Sequence, residues 1–245
     1  MKIDVIPFNT DETINKIYTA CRTCYSAGTP QEQYVKAQET DLEKKWKLIN
    51  HVIRSGHHST LEHVSFTFLI SGVSRALSHQ LVRHRIGICY SQQSQRYCTY
   101  DKGFEFVVPP SIKKNEEAHK KFLEIMQTLN HAYLDLAITH HIPAEDARMV
   151  LPNACCTNLT VTVNLRELIH LTDERTCSCA QWEIRQMAQQ MAKLIYKEIP
   201  ELKEYLGPKC ELLGYCNESD ERTCGRKPTK EDALNPRYGY SNDIL

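Results

Sequence analysis

The sequence predicts an α+β fold, a single domain in which helices and a small antiparallel sheet share one core. Three observations lead there. Several stretches repeat apolar residues at the spacing of an amphipathic helix. Two short stretches alternate apolar and polar residues instead, as half-buried strands do. These stretches follow one another without the regular strand–helix–strand rhythm that builds a parallel α/β sheet.

The first predicted helix covers residues 11–25, where Ile14, Ile17, Tyr18 and Cys21 share a face. The second covers 41–55, with Trp46, Ile49, Val52 and Ile53 as its buried stripe, Thr40 and Glu43 as a capping box and Gly56 as its stop. Val64, Phe66, Phe68 and Ile70 alternate as a strand that Gly72 breaks. A short helix over 73–84 and a polar loop over 85–97 follow. A long helix is expected over 115–141, carried by Phe122, Ile125, Met126, Leu129, Tyr133 and Leu136, and a shorter one containing Arg148 lies between Pro143 and Pro152. Leu159, Val161 and Val163 alternate as a second strand, residues 165–172 read as helix, and a last helix runs over 180–198 until Pro200 stops it. Residues 1–207 are taken as the domain. Residues 208–245 are polar and turn-rich, and are expected to form an extended arm or loosely packed C-terminal extension.

Composition excludes several classes. Thirty basic residues balance thirty acidic ones, whereas a general nucleic-acid binder carries a basic excess. The opening, MKIDVIPFNTDE, lacks a signal sequence, and no apolar run reaches the ~18 residues of a membrane span. The chain is therefore expected to be cytoplasmic, with no membrane partner, and its eleven cysteines to be free thiols. The nine glycines never form a GxG pair, so neither a dinucleotide fingerprint nor a P-loop is present.

The chemistry concentrates between residues 64 and 100, which contain no Asp, Glu or Lys but hold Arg75, Arg83, Arg85, Arg96, His79 and His84 beside Ser91, Gln92, Gln93, Ser94 and Gln95. Arginine without lysine favours planar, bidentate contacts to phosphate or carboxylate. Neutral amides and hydroxyls beside it can read the polar edges of a small anionic molecule. A solvated basic face is the plainer reading of the same residues. Three histidines and a glutamate in 57–63 invite a metal reading, but their spacing fits neither HExxH nor HxxEH, and Ser59 with Glu62 also reads as a capping box. Asn164, Arg166, His170 and Arg175 form a further polar set along a strand end and helix.

Arg83-His84-Arg85, followed by Ser91-Gln92-Gln93-Ser94-Gln95-Arg96-Tyr97, is similar to the signature of the flavin-dependent thymidylate synthases. Gly56-His57 with Ser59 and Glu62-His63, then Val150-Leu151-Pro152, Asn164-Leu165-Arg166 and Ala180-Gln181-Trp182-Glu183-Ile184 resemble further motifs of that family, in order, over residues 1–207. The resemblance implies an FAD site of His57, Ser59, Arg83, His84, Arg85, Gln92, Asn164, Arg166 and His170. It implies a dUMP site of Gln80, Arg83, Gln92, Gln93, Ser94, Gln95, Arg96, Arg148 and Arg175. It further implies methylenetetrahydrofolate as carbon donor, NADPH as reductant of FAD, and a homotetramer whose sites are shared between subunits. Arg175 is the catalytic residue by resemblance, stabilising an ionised uracil N3, with Arg96 and Arg148 on the phosphate. The spacer between Arg85 and Ser94 is eight residues, one longer than is usual in the family, and His170 stands where some members have Asn.

Two other readings stay open at this point. The stretch 83–96 could bind nucleic acid, and Cys177 or Cys179 could attack the pyrimidine as a thiol. No metal is expected: Cys210, Cys216 and Cys224, with five and seven residues between them, lack the tight pairs of zinc fingers.

Overall fold

The computed structural model describes residues 1–234; the last part of the predicted C-terminal extension, 235–245, lies outside the described residues. A short strand, β1 (Lys2–Val5), precedes α1 (Thr10–Tyr25), whose Asn9 cap accepts the Glu12 N–H at 2.8 Å. Ile14, Ile17 and Cys21 point inward, as their spacing predicts. The sequence reading missed α2 (Pro30–Glu39), since only Gln33 and Ala37 of it are buried and no apolar stripe exists to be seen. Its sequence signal was the capping box of Thr29 and Glu32 with Pro30 at the first helical position. In α3 (Leu42–Arg54) the predicted stripe is buried, but the Thr40–Glu43 box does not form: Asp41 holds the cap position without a side-chain hydrogen bond.

Four strands form one antiparallel sheet in the order β1-β2-β4-β3, with β2 at Ser65–Ser74, β3 at Ile88–Gln92 and β4 at Cys156–Asn164. Thr67 faces Thr162, their hydroxyls 2.9 Å apart, and Gly72 faces Asn158, which fixes the register of the central pair. The expected strand break at Gly72 does not occur. Gly72 takes a φ of +65°, accessible to it without a Cβ penalty, and β2 continues to Ser74. Ser74 then caps α4 (Arg75–Leu81), accepting the Leu77 N–H at 3.0 Å, so this helix is shorter than the predicted 73–84. The predicted polar loop contains β3, whose alternating half-buried and exposed positions carry polar side chains on both faces.

Contacts divide the chain into two compact units. The first comprises Met1–Asp4, Leu69–Arg83 and Tyr90–Val161. It contains α5 (Pro110–Lys113), α6 (Glu116–Leu134) and α7 (Ala144–Ala147), with a core of Phe104, Met126, Tyr133, Ala147 and Cys155. The predicted 115–141 helix is α6 plus one π-helical turn, Asp135–Thr139. The second unit comprises Val5–Phe68, His84–Cys89 and the chain from Thr162 onward. Here α8 (Leu165–Arg175) packs on α9 (Trp182–Glu198), burying Leu165, Leu168 and Leu171 with Ile184, Met187, Met191 and Ile195. The tail is not an extended arm over its described part. It folds into α10 (Lys209–Leu213), which contacts α8, and α11 (Lys230–Leu234). No helix among the described residues is long and apolar enough to cross a membrane.

Candidate active site

The second unit builds its polar cluster on α8. Asn164 ends β4 and caps α8, its side-chain oxygen accepting the Glu167 N–H at 2.9 Å. Capping fixes where the helix starts, and so fixes the direction in which Glu167, His170 and Arg175 project. His84, 7% exposed, lies against all three. Its Nδ1 is 2.9 Å from Glu167 Oε1, its Nε2 is 3.0 Å from Arg175 Nε, and its ring meets that of His170 edge-on at 5.6 Å.

The protonation of this cluster follows from its donors. Arg175 Nε–H can only donate, so His84 Nε2 accepts and Nδ1 carries the proton toward Glu167. Burial, aided by the Arg175 charge, holds the imidazole below its ordinary 6.5, and the Glu167 carboxylate opposes this. The His84–Glu167 contact is therefore a charge-assisted hydrogen bond from a neutral ring rather than an ion pair. Arg175 Nε is used on His84, while its terminal amino groups have no partner among the described residues. Imidazole and carboxylate thus orient a guanidinium whose fork stays available.

The remaining predicted flavin contacts of this unit lie on the surface. His57 is exposed, edge-on to the Tyr25 ring at 6.3 Å, and Ser59 lies in the 3-10 turn His58–His63. The Ser59–Glu62 capping box does not form; Glu62 instead pairs with Arg166. Arg85 and His170 are exposed. Arg85 is joined to the helix cap through Gly87, whose carbonyl accepts the Asn164 N–H at 2.8 Å. Gly87 has a φ of +74°, and a Cβ there would run into the Asn164 amide. Gly87→Ala is expected to cost about 1–2 kcal/mol through strain at this backbone conformation, read as a lower urea midpoint.

The first unit holds the other set. Gln92 spends its amide N–H groups inside the chain, on Ser78 Oγ at 3.0 Å and Thr157 Oγ1 at 3.1 Å. Gln93 accepts from Asn158 Nδ2 at 2.9 Å and borders an open groove of about 490 Å³ with Lys2, Ser91 and Asn158. Ser94 Oγ accepts the Arg96 N–H at 3.1 Å, shaping the turn, and Gln95 is buried with its amide on the Cys155 thiol. Gln80 turns its amide onto its own helix, donating to the Ala76 carbonyl at 3.4 Å, and Arg83 is exposed. Arg96 and Arg148 meet at one residue: Arg96 Nε donates to Glu145 Oε2 at 2.6 Å and Arg148 Nε to the Glu145 carbonyl at 3.0 Å. The cationic stretch is thus partly compensated in space, by acids that are remote in sequence.

Sequence reasoning missed Glu167 and Glu145. Glu167 had a signal, because it stands three residues after Asn164, in the position that a helix cap addresses. Glu145 had none, being 49 residues from Arg96.

Residues 8–201 match the family model described as thymidylate synthase complementing protein. The chain is 44% identical over 232 residues to a protein of Nitratidesulfovibrio vulgaris named flavin-dependent thymidylate synthase, covering 91% of this chain and 94% of that one. A protein of the same name from Geobacter sulfurreducens is 44% identical over 227 residues (92% and 94%), and one from Pyrococcus furiosus is 40% identical over 218 residues (86% and 87%).

Proposed function

Because the chain belongs to the flavin-dependent thymidylate synthase family, we propose that it converts dUMP to dTMP, with methylenetetrahydrofolate as carbon donor and NADPH as the source of reducing equivalents, releasing tetrahydrofolate. The observation that carries this reading is the Arg175 guanidinium, held by Nε on buried, neutral His84 with both terminal amino groups available. Uracil C5 becomes nucleophilic when negative charge can settle at N3 and O4. A fork held against that edge stabilises the charge as it develops, and arginine keeps its own proton throughout.

The donor set of the second unit suits FAD. Exposed Arg85, His57 and His170 with Ser59 offer N–H and O–H groups to a pyrophosphate, without an acid on Arg85 among the described residues. These residues, with Asn164 and Arg166, would hold the cofactor; Arg83, His84 and Gln92 complete the proposed flavin contacts. When bound, the reduced flavin supplies the hydride that completes the methyl group. His84 and Glu167 act on Arg175 rather than on substrate, and are positioning residues.

For the nucleotide, Arg96 and Arg148 take the phosphate, and Gln80, Arg83 and residues 92–95 take the sugar and base. Anchoring the remote phosphate lets binding energy hold C5 in place. Glu145 competes for Arg96 in the ligand-free chain. Glu145→Ala should therefore tighten dUMP binding by up to about fivefold, the worth of one exposed ion pair, as read by calorimetric titration. The active form is a cytoplasmic homotetramer with sites shared between subunits; residues 1–207 carry the catalytic domain, and 208–245 form an extension.

The deciding experiment is the visible spectrum of purified protein before and after NADPH without oxygen, paired with tritium release from 5-tritiated dUMP. A yellow protein that bleaches with NADPH and releases tritium is expected. A colourless protein that instead bound oligonucleotides with steep salt dependence would overturn the reading.

A further inference from the structure

The loop that leaves α8 carries two thiols that the proposed reaction does not use. Cys177 and Cys179 stand between Arg175 and α9, both half-buried. Glu218 of the C-terminal tail comes up to them. The two sulfurs and a carboxylate oxygen of Glu218 all lie within 4.8 Å of one another. Two soft donors and one hard donor thus meet from segments remote in sequence.

The tail that brings Glu218 has almost no core. Among the described residues beyond Leu206, Cys216 is the only buried apolar residue, and α10 and α11 are five residues each. So little buried surface does not hold a chain in shape, and segments of this kind are held by a crosslink or a metal. Glu218 is nevertheless well placed for one. Its side chain is 22% exposed, and its ion pair with Arg222 is a long one at 3.9 Å.

We propose that Cys177, Cys179 and Glu218 bind one Zn²⁺ through both thiolates and a carboxylate oxygen, tying the C-terminal tail to the loop after α8. Zinc takes sulfur at about 2.3 Å and carboxylate oxygen at about 2.0–2.2 Å, so the ligand atoms of a tetrahedral site stand roughly 3.6–3.8 Å apart. Side-chain rotation of about 1 Å closes the three donors to that spacing. The Cys179 thiol, which donates to the Arg222 carbonyl at 3.2 Å, and the Cys177 thiol release their protons to solvent as two Zn–S bonds form. Glu218 binds with one oxygen and keeps the other for Arg222, which faces the one negative charge left on the complex. Water completes the four-coordination. The cavity that Cys177 and Glu218 border, about 20 Å³, has room for a single water. Cys210, Cys216 and Cys224 border the same cavity but join no such donor group among the described residues. The site makes no use of dUMP, flavin or folate, so it stands or falls independently of the proposed reaction.

The test is titration of full-length, reduced, chelator-treated protein with zinc alone. About one zinc per chain is expected, with about two protons released per zinc at pH 7, read by calorimetry in buffers of different ionisation enthalpy. Cobalt(II) in its place should show sulfur-to-metal absorption and the d–d bands of a tetrahedral centre. Cys177→Ser and Cys179→Ser should each weaken zinc binding by more than the roughly 10–100-fold that loss of an outer partner costs, and Glu218→Gln by about tenfold. Cys210→Ser and Cys224→Ser should bind zinc as the unmodified chain does. Should a variant fail to fold, the proton count and cobalt spectrum of the unmodified chain still decide. Failure of the reduced chain to take up zinc, release of about four protons per zinc, weakened binding in Cys210→Ser or Cys224→Ser, or unchanged affinity in Cys179→Ser would each overturn the assignment.

Discussion

Arg175→Ala is expected to lower kcat by about 10²–10³-fold, the usual cost of removing one preorganised donor from a developing anion, and to leave FAD bound. The loss follows from how the guanidinium is held. Its Nε rests on His84 Nε2 at 3.0 Å, and His84 is in turn fixed by Glu167 at 2.9 Å. The fork is therefore held before substrate arrives, and on the proposed mechanism little reorganisation would be needed as N3 becomes charged. Arg175→Lys should rescue only a small part, because an ammonium cannot span two acceptors in one plane. A second readout separates this role from a structural one. The Arg175 charge helps to hold His84 below its ordinary value, so in Arg175→Ala the imidazole should titrate at higher pH, visible by NMR of the ring. An Arg175→Ala enzyme within tenfold of full activity would remove the N3 assignment.

Asp173→Asn should stabilise the protein by about 2–3 kcal/mol at pH 8 and by almost nothing near pH 4. Burial, with Glu174 adding to it and Lys209 opposing, pushes the Asp173 carboxyl up from its ordinary 3.8 to about 7. One of its oxygens is buried with no hydrogen-bond partner among the described residues. Below 3.8 both folded and unfolded chains hold the proton, and no penalty exists. Between 3.8 and about 7 the folded chain keeps a proton that the unfolded chain has released, so stability falls as pH rises through this window. Above about 7 the native carboxyl is ionised and the whole penalty, about 4 kcal/mol before solvent screening, is in place. An amide avoids the charge but keeps polar atoms buried, hence the smaller gain. The melting temperature at pH 8 should rise by roughly 4–12 °C, with the difference closing on acidification. A constant offset across pH would show that the carboxyl is not the cause.

His84 sets the opposite slope beside it. Its imidazole is held below 6.5, so the unfolded chain binds the extra proton first and stability falls as pH drops below that value. The two groups lie in one unit, and just below pH 6.5 their contributions oppose one another, so single variants are needed to see either.

How much of this was legible in the sequence depends on the range of each signal. The stripes of α1, α3 and α9 were readable because their buried residues recur within one helix; α6 buries only Met126 and Tyr133, and Ile125 of its predicted stripe is exposed. Helix α2 was not, since it buries only two residues, and β3 was hidden because its positions are polar on both sides. The cations of the site were visible as a run without acids, and resemblance attached roles to them. Their carboxylate partners were not visible. Glu167 is 83 residues from His84, and Glu62 is 104 residues from Arg166. No local pattern encodes such pairs. The same distance hid that Cys177, Cys210, Cys216 and Cys224 border one cavity, each of which reads as an ordinary thiol in its own neighbourhood.

The contact between Gly87 and Asn164 bears on how this enzyme can be redesigned. Asn164 donates its backbone N–H to the Gly87 carbonyl, caps α8 with its side chain, and fills the space that a Cβ on residue 87 would need. A library that diversifies residue 87 alone therefore explores sequences that unseat the helix carrying Arg175. Varying 164 alone discards the cap. The two positions are coupled: a smaller capping residue such as serine at 164 removes the clash with a Cβ at 87, but the φ of +74° still penalises every residue there except glycine, so position 87 is best left fixed and variation directed elsewhere.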